Sequence, residues 1–135
     1  HALKYYENIL QIESDNIGVI IDYGVTLQNL GHYNQALTMY DKALSLQPKN
    51  MNALINRGSV LHTLEKYSEA ISCYNIALKI DKNNPIALVY KGLCIGETGN
   101  IPLAIKHFKK ALLIDNEYEL AEISFNTANC IMKSQ

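Results

Sequence analysis

Residues 51–84, MNALINRGSVLHTLEKYSEAISCYNIALKIDKNN, decide the fold of this chain. Their apolar residues recur at helical spacing on both sides of a short turn, which predicts two helices folded back on each other. Small residues stand at Gly58, Ala70 and Ala77, and an aromatic ring stands at Tyr74. The stretch therefore reads as one helical hairpin with defined places for small and large side chains.

The same chemistry returns 34 positions upstream and 34 positions downstream of this hairpin. The aligned sets are Gly24, Gly58 and Gly92; Ala36, Ala70 and Ala104; Tyr40, Tyr74 and Phe108; and Ala43, Ala77 and Ala111. Four classes of residue that share one period indicate an internal repeat. Helical hairpins repeated at this length stack into a solenoid.

Periodicity and turn residues together predict eight helices and the limits of each repeat. The helices are expected at about Ala2–Ile12, Ile17–Leu30, Tyr33–Leu46, Met51–Leu64, Tyr67–Ile80, Pro85–Thr98, Pro102–Ile114 and Glu119–Lys133. The chain then divides into a half-repeat (1–16), three full repeats (17–50, 51–84 and 85–118) and a capping helix (119–135). Together they would form one domain.

These residues resemble the tetratricopeptide repeat family, and the resemblance covers nearly the whole chain. It implies an all-α fold, a right-handed superhelical solenoid of antiparallel helix pairs. It further implies an interaction scaffold rather than an enzyme, whose first helices line a concave groove that holds a protein or peptide. The departures are few: aliphatic residues stand where the family often has a bulky aromatic, and only Pro48 keeps the closing proline.

Glycine inside a helix costs roughly 0.5–1 kcal/mol relative to alanine, so Gly24, Gly58 and Gly92 need a compensating role. We expect each bare Cα to let the two helices of a repeat approach closely. The alanines of the second helix would face the glycine, and Tyr40, Tyr74 or Phe108 would fill the space beside that contact. A larger side chain at these places should overpack the hairpin.

The two ends of the chain differ in pattern. Residues 2–12 read as a second helix without its first, so the apolar face of Ala2, Leu3 and Tyr6 would lack a partner within the chain. Exposed apolar surface of this kind usually contacts another molecule, which makes a homo-oligomer built through the N-terminal edge a hypothesis. The last helix instead carries a polar stripe and an apolar face, as a capping helix requires. The stripe consists of Glu122, Asn126, Asn129 and Lys133, and the apolar face of Ala121, Phe125, Ala128 and Met132.

The groove-facing residues are expected on the first helices, opposite the face that packs on the second helices. The candidates are Ile21, Val25, Gln28, Asn52, Ile55, Asn56, Ser59, His62, Ile86, Val89, Leu93 and Glu97, with Ile123 and Thr127 extending the line. This surface is largely apolar in the third repeat, which predicts an apolar or amphipathic peptide, or a helix laid in the groove. A competing interpretation is that Ile21, Ile55 and Val89 only fill the space between neighbouring first helices.

Chaperone-binding members of the family hold a C-terminal carboxylate with a cluster of Lys, Arg and Asn. The matching positions here are Ile21, Val25, Asn56, Leu93 and Glu97. Only Asn56 fits, and Glu97 carries the wrong sign for a carboxylate ligand. The resemblance therefore does not extend to a carboxylate clamp.

Composition excludes other classes of partner. The chain has 135 residues and a formal net charge of −1, so no broad positive field favours nucleic acid. No apolar run approaches the ~20 residues of a membrane span, and no signal peptide is visible at His1. Because the chain starts inside a helical pattern, the removal of an upstream segment stays an open alternative. We therefore expect neither a nucleic-acid nor a membrane partner, and a cytoplasmic location.

No constellation of residues suggests catalysis, a metal or a cofactor. The histidines are scattered, and the sequence lacks a zinc-protease motif, a phosphate-cradling loop and a nucleophile elbow. They are His1, His32, His62 and His107. Cys73 and His107 are equivalent positions on adjacent second helices, but two ligands do not make a zinc site. Cys73, Cys94 and Cys130 are expected to be reduced structural thiols.

Three functional hypotheses follow from these patterns. The leading one is a peptide-binding scaffold. The second is self-assembly through the N-terminal half-repeat. The third is that the chain is the regulatory repeat region of a longer enzyme.

Overall fold

The computed structural model describes residues 2–134, and within that range it contains eight α-helices and no β-strand. The helices are α1 (Ala2–Ile12), α2 (Ile17–Asn29), α3 (Tyr33–Leu46), α4 (Met51–Thr63), α5 (Tyr67–Ile80), α6 (Pro85–Glu97), α7 (Ile101–Ile114) and α8 (Glu119–Lys133). The predicted all-α class is confirmed. The boundaries differ from the prediction by a single residue at α2, α4, α6 and α7. Helix α7 begins at Ile101, because Pro102 is tolerated within the first helical turn.

Each helix packs antiparallel on the next, and the hairpins stack into a solenoid. The first helices of the repeats (α2, α4, α6 and α8) also contact one another along the stack. Among residues 2–134, no two of the second helices (α1, α3, α5 and α7) bring their Cα atoms within 8 Å of each other. The first helices therefore lie closer together than the second helices, which places them on the inner side of the curve.

Glycine and an aromatic ring interlock in each of the three full hairpins. A Cβ added to Gly58 would lie 2.5 Å from Cε1 of Tyr74, and the same contact is 2.6 Å for Gly24 with Tyr40 and for Gly92 with Phe108. We expected the alanines to face these glycines and the rings to lie beside them. The structure instead brings the ring edge itself against the bare Cα, so glycine makes room for the aromatic side chain.

The first helices of the three full repeats begin with the same cap. Asn16, Asn50 and Asn84 each accept a hydrogen bond on the side-chain oxygen from the backbone N–H three residues ahead, at 3.0–3.2 Å. Such a bond satisfies one of the free N–H groups at the helix start. Tyr118 occupies the equivalent place before α8 and provides no side-chain cap. The repeat period is thus visible in the capping residues as well as in the core.

The turns inside the hairpins share a left-handed residue. Gly31 and Gly99 have φ of 83° and 101°, and Glu65 occupies the equivalent place with φ of 61°. The residue after each returns a backbone hydrogen bond to the carbonyl five positions earlier, as Lys66 N–H does to the Leu61 carbonyl at 2.8 Å. This is the usual helix ending in which glycine fits best. Glu65 adopts it at an energetic cost, because an L side chain is crowded there.

Helix α1 is more fully partnered than the sequence suggested. Leu3 packs against the cluster around Leu27 and Tyr40, and the Tyr6 ring lies 5.9 Å from the Tyr23 ring on α2. The Tyr23 hydroxyl also donates to a Glu7 carboxylate oxygen at 3.1 Å. The prediction that Leu3 and Tyr6 lack a partner within the chain is therefore wrong.

Helix α8 has the expected apolar face along most of its length. Ala121 and Ala128 are buried against α7, and Phe125 is half-buried with the Lys109 ammonium 5.7 Å from its ring centroid. Met132 was expected on this face but is 38% exposed. It corresponds in the repeat to Thr98, which caps α6 and is also exposed. That position lies at the end of a first helix rather than on its packed face.

Candidate peptide-binding groove

Most of the predicted groove residues lie at the protein surface on the first helices. Seven are half-buried: Ile21, Val25, Gln28, Asn56, Ser59, His62 and Leu93. Five are exposed: Asn52, Ile86, Glu97, Ile123 and Thr127. These twelve side chains can reach a ligand without rearrangement of the backbone.

Two predicted groove residues are core residues instead. Val89 has no exposed surface, and Ile55 keeps only 9% of its surface exposed. Val89 belongs to the core cluster with Leu88 and Ile95, and Ile55 to the cluster with Leu54 and Ala87. The competing interpretation holds for both, because neighbouring first helices approach closely enough to cover them. A peptide cannot contact Val89 in this structure.

A polar chain connects the first two repeats across the groove. The buried Tyr40 hydroxyl donates to Gln28 Oε1 at 2.8 Å, and Gln28 Nε2 donates to Ser59 Oγ at 3.3 Å. Burial raises the pKa of Tyr40 to about 12, so the hydroxyl remains a donor at neutral pH. Gln28 and Ser59 thus hold α2 and α4 together, in addition to presenting polar atoms at the surface.

The second repeat does not reproduce this chain. His62 replaces Gln28 at the equivalent position, and its ring lies 5.6 Å from the Tyr67 ring in an edge-to-face arrangement. The Tyr74 hydroxyl, equivalent to that of Tyr40, is buried and has no hydrogen-bond partner. Sequence reasoning assigned both tyrosines to the core without separating them. The difference depends on the side chain that the facing helix presents to the hydroxyl, which is Gln28 for Tyr40.

The third repeat contains an apolar cavity of about 410 Å³ that opens to the groove. Its walls come from α6, α7 and α8, and they include the predicted groove residues Leu93, Glu97, Ile123 and Thr127. Residues that the sequence analysis did not assign to the groove complete the lining: Gly92, Gly96, Ile101, Ala104, Phe108, Ser124, Ala128 and Ile131. The groove therefore deepens at its C-terminal end.

This cavity exists because two side chains change in the third repeat. Gly96 stands where Gln28 and His62 stand in the earlier repeats, and Phe108 stands where they have tyrosine. A Cβ added to Gly96 would make ordinary contacts, 3.6 Å from Ala104 Cβ and 3.9 Å from Ile101 Cδ1, so this position accepts a side chain without a clash. Loss of a polar side chain and of a hydroxyl leaves an apolar hollow. The signal in the sequence is Gly96 itself, a glycine at the position where the two earlier repeats have Gln28 and His62.

The groove cavity carries little charge. Glu97 is the only charged residue among the described residues that line it. Nearby Cys94 is fully buried, and burial, assisted by the Glu97 charge, raises its pKa to about 12. Burial also raises the pKa of Cys73. Both thiols are therefore neutral at physiological pH and poor nucleophiles.

The histidine and cysteine side chains of the second helices are held apart by local hydrogen bonds. His107 Nδ1 donates to the Leu103 carbonyl at 2.9 Å, and Cys73 Sγ accepts from Arg57 Nη1 at 3.0 Å, so the two equivalent side chains have separate partners. Residues 2–134 contain no group of three or more His, Cys, Asp or Glu side chains placed to hold a metal ion. His1 lies outside the described residues. None of the helices described has the length and hydropathy needed to cross a membrane.

Comparison with known proteins identifies the class to which this fold belongs. A family model described as "Tetratricopeptide repeat" matches residues 24–85 and 64–119, which together cover more than half of the chain. The chain belongs to the tetratricopeptide repeat family. Its repeats are generally scaffolds for protein–protein interaction rather than catalytic domains. No curated protein matches the chain.

Solved structures share the fold at low sequence identity. The first tetratricopeptide domain of Spaghetti (RPAP3), bound to the HSP90 peptide SRMEEVD, is 20% identical, with a TM-score of 0.80 over 87% of this chain and 93% of that one. A tetratricopeptide repeat protein from Parabacteroides merdae is 23% identical, with a TM-score of 0.85 over 98% of this chain and 53% of that one. MamA from Desulfovibrio magneticus is 22% identical, with a TM-score of 0.76 over 98% and 85%. At these identities, the similarity shows a shared fold and no more than that.

Proposed function

We propose that this chain binds an apolar or amphipathic peptide, or a helix, in its groove, with one large apolar side chain of the ligand seated in the cavity of the third repeat. The observation that carries the proposal is the cavity of about 410 Å³, formed by Leu93, Phe108 and Ile123 beside the bare Gly96. Its volume lies within the range of ligand-binding pockets, roughly 300–1,000 Å³.

The exposure of apolar residues around the cavity supports this proposal. Ile123 is 54% exposed and Ile131 is 41% exposed, although both line the cavity. Ile86, on the groove side of α6, is also exposed. An apolar anchor that enters a pocket, ringed by further apolar contacts that exclude water, provides most of the binding energy in many interfaces. This end of the groove is suited to such an anchor.

The ligand differs in kind from the acidic peptide bound by the RPAP3 domain. That peptide ends in a carboxylate, whereas this chain presents Ile21, Val25, Leu93 and Glu97 at the positions we matched to a carboxylate clamp. Asn56 alone retains the chemistry of the clamp. Glu97 at the rim would repel an acidic terminus and would favour a peptide with a basic residue next to its apolar anchor.

The experiment is a selection of peptides from a displayed library of amphipathic helices, followed by affinity measurement on variants. Leu93→Lys introduces a charge on the cavity wall, and Gly96→Leu fills the cavity with a side chain. Either change should lower the affinity of the selected peptides about tenfold or more, because each one blocks the cavity that holds the apolar anchor side chain. Val89 is unsuitable as a test position, since a charge at this buried site would unfold the domain.

Leu113→Lys is the matched control. Leu113 is 88% exposed on α7 and does not line the cavity, so the same chemical change there should leave affinity unchanged. Circular dichroism and thermal unfolding establish that each variant is folded. Peptides that share no large apolar residue, or that bind Leu93→Lys and Gly96→Leu as tightly as the unmodified protein, would refute the cavity as the binding site.

A further inference from the structure

A second cavity, of about 300 Å³, lies between α5, α6 and α7, away from the groove. Leu88 and Lys91 of α6 line it, and on a helix these residues point away from Leu93, which faces the groove. Leu78 and Leu88 form apolar walls. The remaining lining residues are all basic: Lys82, Lys91, Lys106, His107 and Lys110.

The charge at this cavity is unbalanced. None of the described residues that line it is acidic. The protein as a whole carries 12 Lys and Arg against 13 Asp and Glu, so the four lysines here are a local concentration rather than a consequence of a basic composition. Like charges gathered on apolar walls repel one another, and this repulsion is relieved when an anion binds.

One period earlier, the cation at the position equivalent to Lys91 is neutralised by a carboxylate of the same chain. There Arg57 Nε donates to the Asp41 carboxylate at 2.7 Å, and this is the one side-chain ion pair within residues 2–134. Thirty-four residues later, Lys91 takes the place of Arg57 and Asn75 takes the place of Asp41. The cation is retained, and the carboxylate that would pair with it is replaced by a neutral amide.

The other basic residues also differ from the equivalent positions one period earlier. Lys82, Lys106 and Lys110 stand 34 positions after Pro48, Ser72 and Ile76, and His107 stands 34 positions after Cys73. Compared with the place one period earlier, this cavity has gained three lysines and a histidine and has lost the acidic partner. Packing of the hairpin does not require these changes, because the preceding repeat folds without them.

Three of the lysines lie close enough to His107 to affect its pKa. Burial lowers the pKa of His107, and Lys91, Lys110 and Lys106 lower it further. Its Nδ1 carries the proton donated to the Leu103 carbonyl, since a carbonyl can only accept. Protonation of Nε2 would therefore add a second donor to the cavity once an anion compensates the charge.

We propose that this cavity is an anion site that binds the phosphate group of a phosphorylated segment of a partner polypeptide. Lysine ammonium groups bind phosphate as point charges, and four of them with His107 can match a charge of about −2. Leu78 and Leu88 provide apolar surface for the carbon stem that carries the phosphate. A long polyanion is less suited, because the basic residues surround one cavity and do not form a stripe along a chain of net charge −1.

The test uses inorganic phosphate and a short glycine- and alanine-rich peptide with a central phosphoserine, compared with the same peptide without phosphate. Binding is followed by changes in backbone amide resonances and by the titration of His107. Both phosphate-bearing probes should shift resonances of α5, α6 and α7 at this cavity, and bound phosphate should raise the pKa of His107. The unphosphorylated peptide should not produce these changes.

Two variants examine the residues themselves. The double variant Lys91→Gln with Lys110→Gln should weaken the binding of both phosphate-bearing probes at least about fivefold. Asn75→Asp supplies Lys91 with a carboxylate partner like that of Arg57, and it should also weaken the binding of both probes. Lys4→Gln with Lys49→Gln removes the same charge from exposed residues elsewhere and should have no effect. Leu93→Lys, which blocks the groove, should leave phosphate binding unchanged and so separates this site from the one proposed above.

Each possible result of these binding measurements either supports or overturns the phosphate site. Equal weakening by both double-lysine variants would mean that phosphate responds only to overall charge, and would overturn the site. Phosphoserine peptide that binds no better than its unphosphorylated counterpart, with vesicles of anionic phospholipid binding through the same lysines, would overturn the phosphorylated polypeptide as the partner. Localised shifts that are lost in Lys91→Gln with Lys110→Gln and kept in the control would establish the proposal.

Discussion

Replacement of Gly58 by alanine tests the contact on which the hairpin packing depends. The added Cβ would lie 2.5 Å from Cε1 and 2.7 Å from Cζ of Tyr74. Tyr74 is fully buried, so its ring can move away only if neighbouring side chains move as well. Overpacking of this kind costs about 1–3 kcal/mol, while alanine gains roughly 0.5–1 kcal/mol over glycine inside a helix. The difference between these two terms is a loss of up to about 2.5 kcal/mol in the free energy of unfolding, with a central value of about 1.2 kcal/mol.

Gly18→Ala is the matched control for the same substitution. Gly18 lies in the first turn of α2, and its added Cβ would be 3.6 Å from Asn16 Oδ1, an ordinary contact. Alanine gains helix propensity there without a clash, and the gain is smaller in a first turn than in a helix interior, so Gly18→Ala should stabilise the protein by up to about 0.5 kcal/mol. The opposite signs at Gly58 and Gly18 separate the close contact from the general cost of glycine in helices.

The assay is urea unfolding monitored by circular dichroism, with the midpoint and the slope fitted for each variant. Tyr74→Leu removes the ring edge, and in combination with Gly58→Ala it should give a smaller loss than the sum of the two single changes. A Gly58→Ala protein as stable as the unmodified one, with an unchanged slope, would refute the reasoning. It would mean that the glycine does not make room for the ring.

Two other predictions concern single residues. Tyr74→Phe should be neutral or stabilising by up to about 1 kcal/mol, because it removes a buried hydroxyl without a partner, whereas Tyr40→Phe should destabilise by about 0.5–1.5 kcal/mol because Gln28 loses its donor; parallel urea unfolding would show the contrast, and equal effects would contradict it. Glu65→Gly should raise stability by up to about 1 kcal/mol, since φ of 61° is unfavourable for glutamate; a lowered thermal midpoint would argue against strain at this turn.

The fold followed from the sequence because every repeat must satisfy the same packing conditions. Gly58 and Tyr74 recur with their partners at one period, since the same close contact is built three times. Helix boundaries were predictable for a similar reason: the capping asparagines, the left-handed glycines and the prolines act locally, within a few residues of the chain. The chain's membership in an interaction family is encoded at this level, in residues that each hairpin repeats.

The two cavities and the burial of the groove residues depended on residues that differ between the repeats. They also depended on how helices distant in sequence pack together. The burial of Val89 is set by the approach of neighbouring first helices, which periodicity on one helix does not specify. Gly96 and Phe108 both line the groove cavity, and the basic cavity contains Lys91, which lacks the carboxylate partner that Arg57 has. A period identifies the residues that all hairpins need. Cavities form where three helices leave space between them, so tertiary structure alone decided where the two candidate sites lie.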